Sequence, residues 1–295
     1  MKKLILIFAV FATSFSAVFI RYSTAPSLVM VLYRMGISAI LMTVFVLWKN
    51  REELKALKFK DIYPCVFSGF FLAAHFATYF ASLDYTSISA STVLANLEIF
   101  FVAIGSFLVL RQPISKHGWL GIALTFIGSL IVAGSGLRGG GSNELLGDAL
   151  AFLAACLMGV YTMLGTICQR KLSTMVYTWI VYTAATMLVA IILLIKGESM
   201  FGYGEINLLT SLGLAVVCTL LGHSLFSLSL RSLPAAYVSV VKMLAPVFAS
   251  VQGIILFSEM PKLNVILGGL IVIGGIVYYS IYEKGLIPEK NQVSE

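Results

Sequence analysis

Charge is what this chain has least of. Its 295 residues hold 20 Lys and Arg and 13 Asp and Glu, 11% of the chain, where soluble domains carry about 25%. Long polar connections are missing too. Between the apolar runs the longest link, 49–61, has 13 residues, so no loop can house an ATP-binding or other separate soluble domain. The four cysteines, Cys65, Cys156, Cys168 and Cys218, stand singly, with no C-x-x-C spacing and no His at metal-ligand intervals. That excludes a zinc or haem motif and leaves the cysteines as packing residues. Gly139, Gly140 and Gly141 are followed by no Lys-Ser/Thr and preceded by no strand, so no phosphate loop is implied. Together these absences exclude a water-soluble enzyme, a disordered chain and a nucleic-acid binder, and no cofactor is expected.

What the chain has is apolar residues, 59% of the total, in blocks long enough to cross a bilayer core of roughly 30 Å. Runs bounded by charges, Gly, Pro or Asn predict ten helices at 4–20, 27–48, 62–83, 87–110, 118–135, 146–168, 175–195, 208–230, 235–257 and 264–282. Stretches such as 122–132 and 181–195 are apolar on every side, which suits helices and not the alternating strands of a barrel. The predicted fold is therefore an all-α integral membrane protein. With an even number of spans, alternate loops share one side of the membrane. Loops on the side of the termini hold 14 Lys and Arg, and those on the other side hold 4 (Arg21, Arg138, Lys196 and Lys262). Cytoplasmic loops are the basic ones. Both termini are thus expected in the cytoplasm, with the chain in the cell membrane and its basic skirt against lipid headgroups. Lys2 and Lys3 before a short apolar run, with small residues around 14–17, also fit a cleaved signal peptide, but cleavage would remove a helix that the following repeat needs.

An offset of 148 superposes His75 on His223, Ser91 on Ser239, Val93 on Val241, Phe100 on Phe248, Gly105 on Gly253, Leu108 on Leu256, Pro113 on Pro261 and Gly121 on Gly269. Five spans per half is an odd number, so the halves enter the membrane in opposite directions, as in the inverted repeats of secondary transporters. The segment HFATYFASLDYTSISASTVLANLEIFF with LRQP after it, and GHSLFSLSLRSLPAAYVSVVKMLAPVFASVQGIILFSEMP with GGLIVIGG after it, resemble the two EamA-like units of the drug/metabolite transporter superfamily. Arg34 sits where many members carry Arg, and Pro246 and Glu259 keep the usual pattern of the second unit. The first unit departs twice, with Glu98 at a usual Pro and Arg111 at a usual span-end Glu. The resemblance implies two five-helix repeats, 1–135 and 146–284, joined by a linker at 136–145 and followed by a polar cytoplasmic tail at 285–295. It also implies a central cavity, alternating access, and transport of a small metabolite coupled to protons or to a counter-solute.

Three charges fall inside spans, Arg34, Glu98 and Lys242. Each costs about 2.5 to 3.5 kcal/mol on insertion scales, so all three should face protein or water. Four residues separate Glu98 from the position equivalent to Lys242, so the two share a helix face and are expected to meet between the repeats. His75 and His223 occupy equivalent positions and offer one donor and one acceptor each. They are expected at one depth on a central cavity, with Tyr79 one turn beyond His75. These six residues, Arg34, His75, Tyr79, Glu98, His223 and Lys242, form the candidate substrate site for a small anionic or zwitterionic metabolite. The alternatives are a membrane-embedded enzyme, for which no nucleophile or metal motif is present, and a non-transporting subunit of a complex, for which no docking loop is present. The glycines of the fifth and tenth spans (Gly118, Gly121, Gly128, Gly268, Gly269, Gly274 and Gly275) are read as close helix packing.

Overall fold

A computed structural model describes residues 2–134, 143–257 and 262–283, apart from the side chains of Ala17, Ile88 and Ser89. Glu259, the three-glycine run 139–141, most of the linker and the tail lie outside the described residues. Among the described residues ten helices are long and apolar enough to cross a membrane. They are α1 (Lys2–Arg21), α2 (Ser27–Lys49), α3 (Phe59–Leu83), α4 (Ala90–Leu108), α5 (Lys116–Ala133), α6 (Glu144–Cys168), α7 (Thr174–Lys196), α8 (Glu205–Leu230), α9 (Ala235–Leu256) and α10 (Leu263–Tyr282). No strand occurs among the described residues. The connection 49–61 differs from expectation in carrying a short helix, Arg51–Ala56.

The helix ends follow local chemistry. Ser87, Ser115, Asn143 and Ser173 accept from the backbone N–H three residues on, at Ala90, Gly118, Leu146 and Val176, which satisfies one orphan donor at each N-terminus. At the far end of α7 the chain turns through Gly197, whose φ of 67° suits a residue without a Cβ. α4 ends at the terminal side with Arg111 at φ 55°, a left-handed conformation that costs a side-chain residue roughly 1 to 2 kcal/mol.

The packing is that of an inverted repeat. α2 meets α7, α4 meets α9 and α5 meets α10, each helix against its own counterpart in the other half. The remaining extensive contacts between the halves occur in matched pairs: α3 with α6 and α1 with α8, α3 with α7 and α2 with α8, α4 with α6 and α1 with α9. Exchanging the halves reproduces the same set, so a pseudo-twofold axis runs between the three self-paired couples. The fold is ten transmembrane helices in two inverted five-helix repeats.

Backbones approach closely along the α5–α10 contact. A Cβ on Gly128 would lie 2.7 Å from the nitrogen of Val272, and one on Gly268 would lie 2.7 Å from the carbonyl oxygen of Gly128. Gly121 meets the backbone of Tyr279, and Gly275 meets that of Thr125. Gly274 departs from the packing expectation, since nothing lies within 4 Å of a Cβ placed there.

Two polar ties close the ends of the bundle. At the terminal end Glu53 accepts from the Ser173 N–H at 2.6 Å, and Asn50 donates to Glu53 at 2.9 Å. At the opposite end Asn207, fully buried, accepts from the N–H groups of Thr24 and Ala25 at 2.8 and 3.0 Å and donates to Thr24 Oγ1 at 3.0 Å. Each tie joins the two repeats, so the connections are held as well as the spans.

Candidate substrate site

Besides a break of α1 at Phe15, three of the ten helices are irregular along their length, and the polar residues gather at those three. α4 consists of Ile88–Ala95 and Glu98–Leu108, and α9 of Ala235–Lys242 and Ala245–Phe257. At both breaks the helix tightens to bonds three residues apart, Leu97 N–H to Leu94 and Phe100 N–H to Leu97 in α4, Met243 N–H to Val240 and Leu244 N–H to Val241 in α9. In α9 the cause is Pro246, which has no N–H to donate and fits only the first turn of the new helix. The breaks lie at equivalent repeat positions. Matched interruptions of this kind mark the binding region of many carriers, because half-helix ends there offer unpaired backbone groups.

Two of the three intramembrane charges sit on those ends. Glu98 opens the second half of α4, where the helix dipole favours an anion, and Lys242 closes the first half of α9, where it favours a cation. Lys242 Nζ donates to Glu98 Oε1, and the side chains are 18% and 11% exposed, so the pair is largely desolvated. Lys242 Nζ also lies 5.7 Å from the centre of the Phe226 ring.

α8 is irregular in a different way. It runs as α-helix over Glu205–Gly213, as π-helix over Leu214–His223 and again as α-helix over Ser224–Leu230. Ten residues of π-helix are unusual, and such segments favour functional sites. This one presents Thr219 and His223. Thr219 Oγ1 accepts from Arg34 Nε of α2 at 2.8 Å, and the Arg34 guanidinium lies 4.8 Å from the Phe76 ring centre. Phe76 in turn meets His223 edge-on at 5.9 Å.

The two histidines are not equivalent in use. His75 Nδ1 donates to the Ala154 carbonyl of α6 at 2.9 Å and its ring stacks on Tyr79 at 6.2 Å, while Tyr79 hydroxyl is 3.2 Å from Thr92 Oγ1. His223 instead lines a small cleft with Met158, Tyr161, Phe226, Ser227 and Lys242. His223 thus lines the cleft, and His75 is held against α6. Arg34, His223, Lys242 and Glu98 are linked through Phe76 and Phe226, and the His75–Tyr79 stack adjoins them through Phe76. Sequence reasoning missed Phe76, Tyr161 and Thr219. Phe76 adjoins His75, and Thr219 stands one turn before His223, so helical spacing from the chosen residues was the signal available.

Comparison with known proteins agrees with the architecture. Both halves match the EamA-like transporter family, over residues 2–134 and 145–281. The chain belongs to this family. An uncharacterized transporter of Archaeoglobus fulgidus is 23% identical to it over 247 residues, 83% of this chain and 84% of that one. Uncharacterized transporter YetK of Bacillus subtilis is 24% identical over 253 residues, 83% and 75% of the two chains. A crystal structure at 15% identity superposes with a TM-score of 0.81 over 97% of this chain and 98% of its own, a likeness of fold. The transporter is thus a multi-pass membrane protein. Among the described residues no group of His, Cys, Asp and Glu is arranged to hold a metal ion.

Proposed function

We propose that the protein is a secondary active transporter of a small polar metabolite, anionic or zwitterionic and of amino-acid or organic-acid type, working by alternating access. The observation that carries this reading is the Glu98–Lys242 ion pair at the matched breaks of α4 and α9. Removing either partner from a desolvated pair leaves a costly bare charge. An acceptor group of the substrate that takes Lys242, together with a proton that takes Glu98, supplies the missing compensation on both sides and frees the two half-helices to separate. Occupancy and rocking of the bundle are coupled in this way, and the energy comes from a proton or counter-solute gradient. The membrane is the cytoplasmic membrane and both termini are cytoplasmic, in keeping with the 14 to 4 partition of basic residues. Arg34, His75, Tyr79, Glu98, His223 and Lys242 make up the substrate region, with His223 and Lys242 on the cleft. Counterflow tests the reading. Proteoliposomes loaded with an unlabelled amino or organic acid should take up the labelled solute faster than empty ones. If no solute of either class shows acceleration by its own kind on the far side, the carrier mechanism is wrong.

A further inference from the structure

We propose that Arg34 is a carboxylate subsite and that the transported solute is a monoanion, an inference that rests on the carrier reading above. Arg34 is the eighth residue of α2 and 4% exposed. Its Nε is occupied by Thr219 at 2.8 Å and Phe76 covers the guanidinium at 4.8 Å, but Nη2 is buried with no hydrogen-bond partner. No carboxylate among the described residues serves it. Glu98 is engaged by Lys242. The other described acidic residues lie in connections, in the first five residues of a span, or beyond the end of α10. The repeat gives no counter-charge either, since the residue equivalent to Arg34 is Tyr182, a buried neutral hydroxyl 3.1 Å from Ser224 Oγ.

A guanidinium desolvated without an anion is costly, and the chain could have avoided that cost with any neutral side chain. With Nε taken and the ring face covered, the edge formed by the two Nη groups is what remains. A planar fork of two N–H donors matches both oxygens of a carboxylate. Charge selects further. Arg34 and Lys242 carry one positive charge each and Glu98 one negative. Counting both imidazoles as neutral, the region holds one uncompensated positive charge. A monoanion brings it to zero, a zwitterion leaves it unchanged and a cation doubles it.

The test uses the purified full chain in chloride-free sulfate buffer, with thermal unfolding followed as acetate, lactate, succinate, chloride, glycine or ethanolamine is added. Acetate or lactate should stabilise the parent most. The apparent affinity should fall roughly 30-fold or more in Arg34→Gln, the loss expected when one partner of a buried charged contact is removed. Arg34→Lys keeps the charge without the fork and provides the reading if Arg34→Gln does not fold. It should bind about tenfold more weakly than the parent. Unchanged affinity in Arg34→Lys, or stabilisation by chloride equal to that by the monocarboxylates, would overturn the subsite. Counterflow separates the two levels of the argument. Acceleration by glycine or ethanolamine and not by monocarboxylates removes the monoanion and keeps the carrier, whereas no acceleration by any solute removes the carrier.

Discussion

Glu98→Gln, Lys242→Met and the double variant form a thermodynamic cycle whose outcome follows from how little of the pair reaches solvent. The two side chains are 11% and 18% exposed, so the interaction belongs to the buried regime, where removing one partner typically costs about 3 to 5 kcal/mol. In Glu98→Gln the stranded ammonium keeps the Phe226 ring at 5.7 Å, an attraction of roughly 0.5 to 1 kcal/mol, which places the expected loss near the lower end, about 3 kcal/mol. In Lys242→Met the stranded carboxylate stays in the first turn of its half-helix, where the helix dipole returns up to about 1 kcal/mol. A loss of about 2 to 3 kcal/mol is expected. With both changed no bare charge remains, and stability should return to within about 1 kcal/mol of the parent while transport stays lost. Reversible unfolding in mixed detergent micelles, followed by fluorescence of the three tryptophans, measures all four corners. Losses in the single variants that simply add in the double variant would show that the pair contributes no coupling, and the competition between substrate and ion pair would then have no physical basis.

The close approach of α5 to α10 predicts that Gly128→Ala, which sets a methyl group 2.7 Å from the Val272 nitrogen, lowers stability by about 1 to 3 kcal/mol; an unchanged unfolding midpoint would show that the two helices can part without cost. The histidines should respond differently. His75→Phe removes the second hydrogen bond to the Ala154 carbonyl, which keeps its bond within α6, and should cost about 0.5 to 1.5 kcal/mol of stability, whereas His223→Gln should leave stability nearly unchanged and reduce counterflow, and the reverse pattern would exchange their assigned roles. Cysteine introduced at Glu198, in a chain cleared of native Cys, should react with impermeant thiol reagents from outside intact cells, and cysteine at Glu52 should not. Labelling in the opposite sense would invert the proposed orientation.

The spans were legible because apolar length is a strong signal and few charges interrupt it. The meeting of Glu98 and Lys242 was legible too, because four residues is one helical turn and the repeat brings equivalent helices together. The breaks in α4 and α9 were not. Pro246 marks one, but Asn96 and Leu97 carry no comparable signal, and the tightening there depends on tertiary contacts such as Asn96 donating to Ser129 at 3.2 Å. The unequal histidines were hidden for a related reason. The 148 offset pairs His75 with His223 and Ala154 with Leu6, which predicts the same imidazole-to-carbonyl bond in both halves. The π-helical stretch over Leu214–His223 changes the register of α8 against α1, and nothing in its apolar sequence announces it.

The glycine contact between α5 and α10 constrains how such a molecule can deform. These helices come from different halves of the chain, yet their backbones touch at Gly128 and Gly268, with Val272 and Val132 seated against the glycines, which leaves little room to slide or rotate. A hinge cannot follow the line where the sequence repeats, because that line passes through this weld. In the proposed rocking, a rigid piece that contains α5 would also contain α10, so that piece would be built from both repeats, and the boundary between the repeats would not be the boundary of the motion.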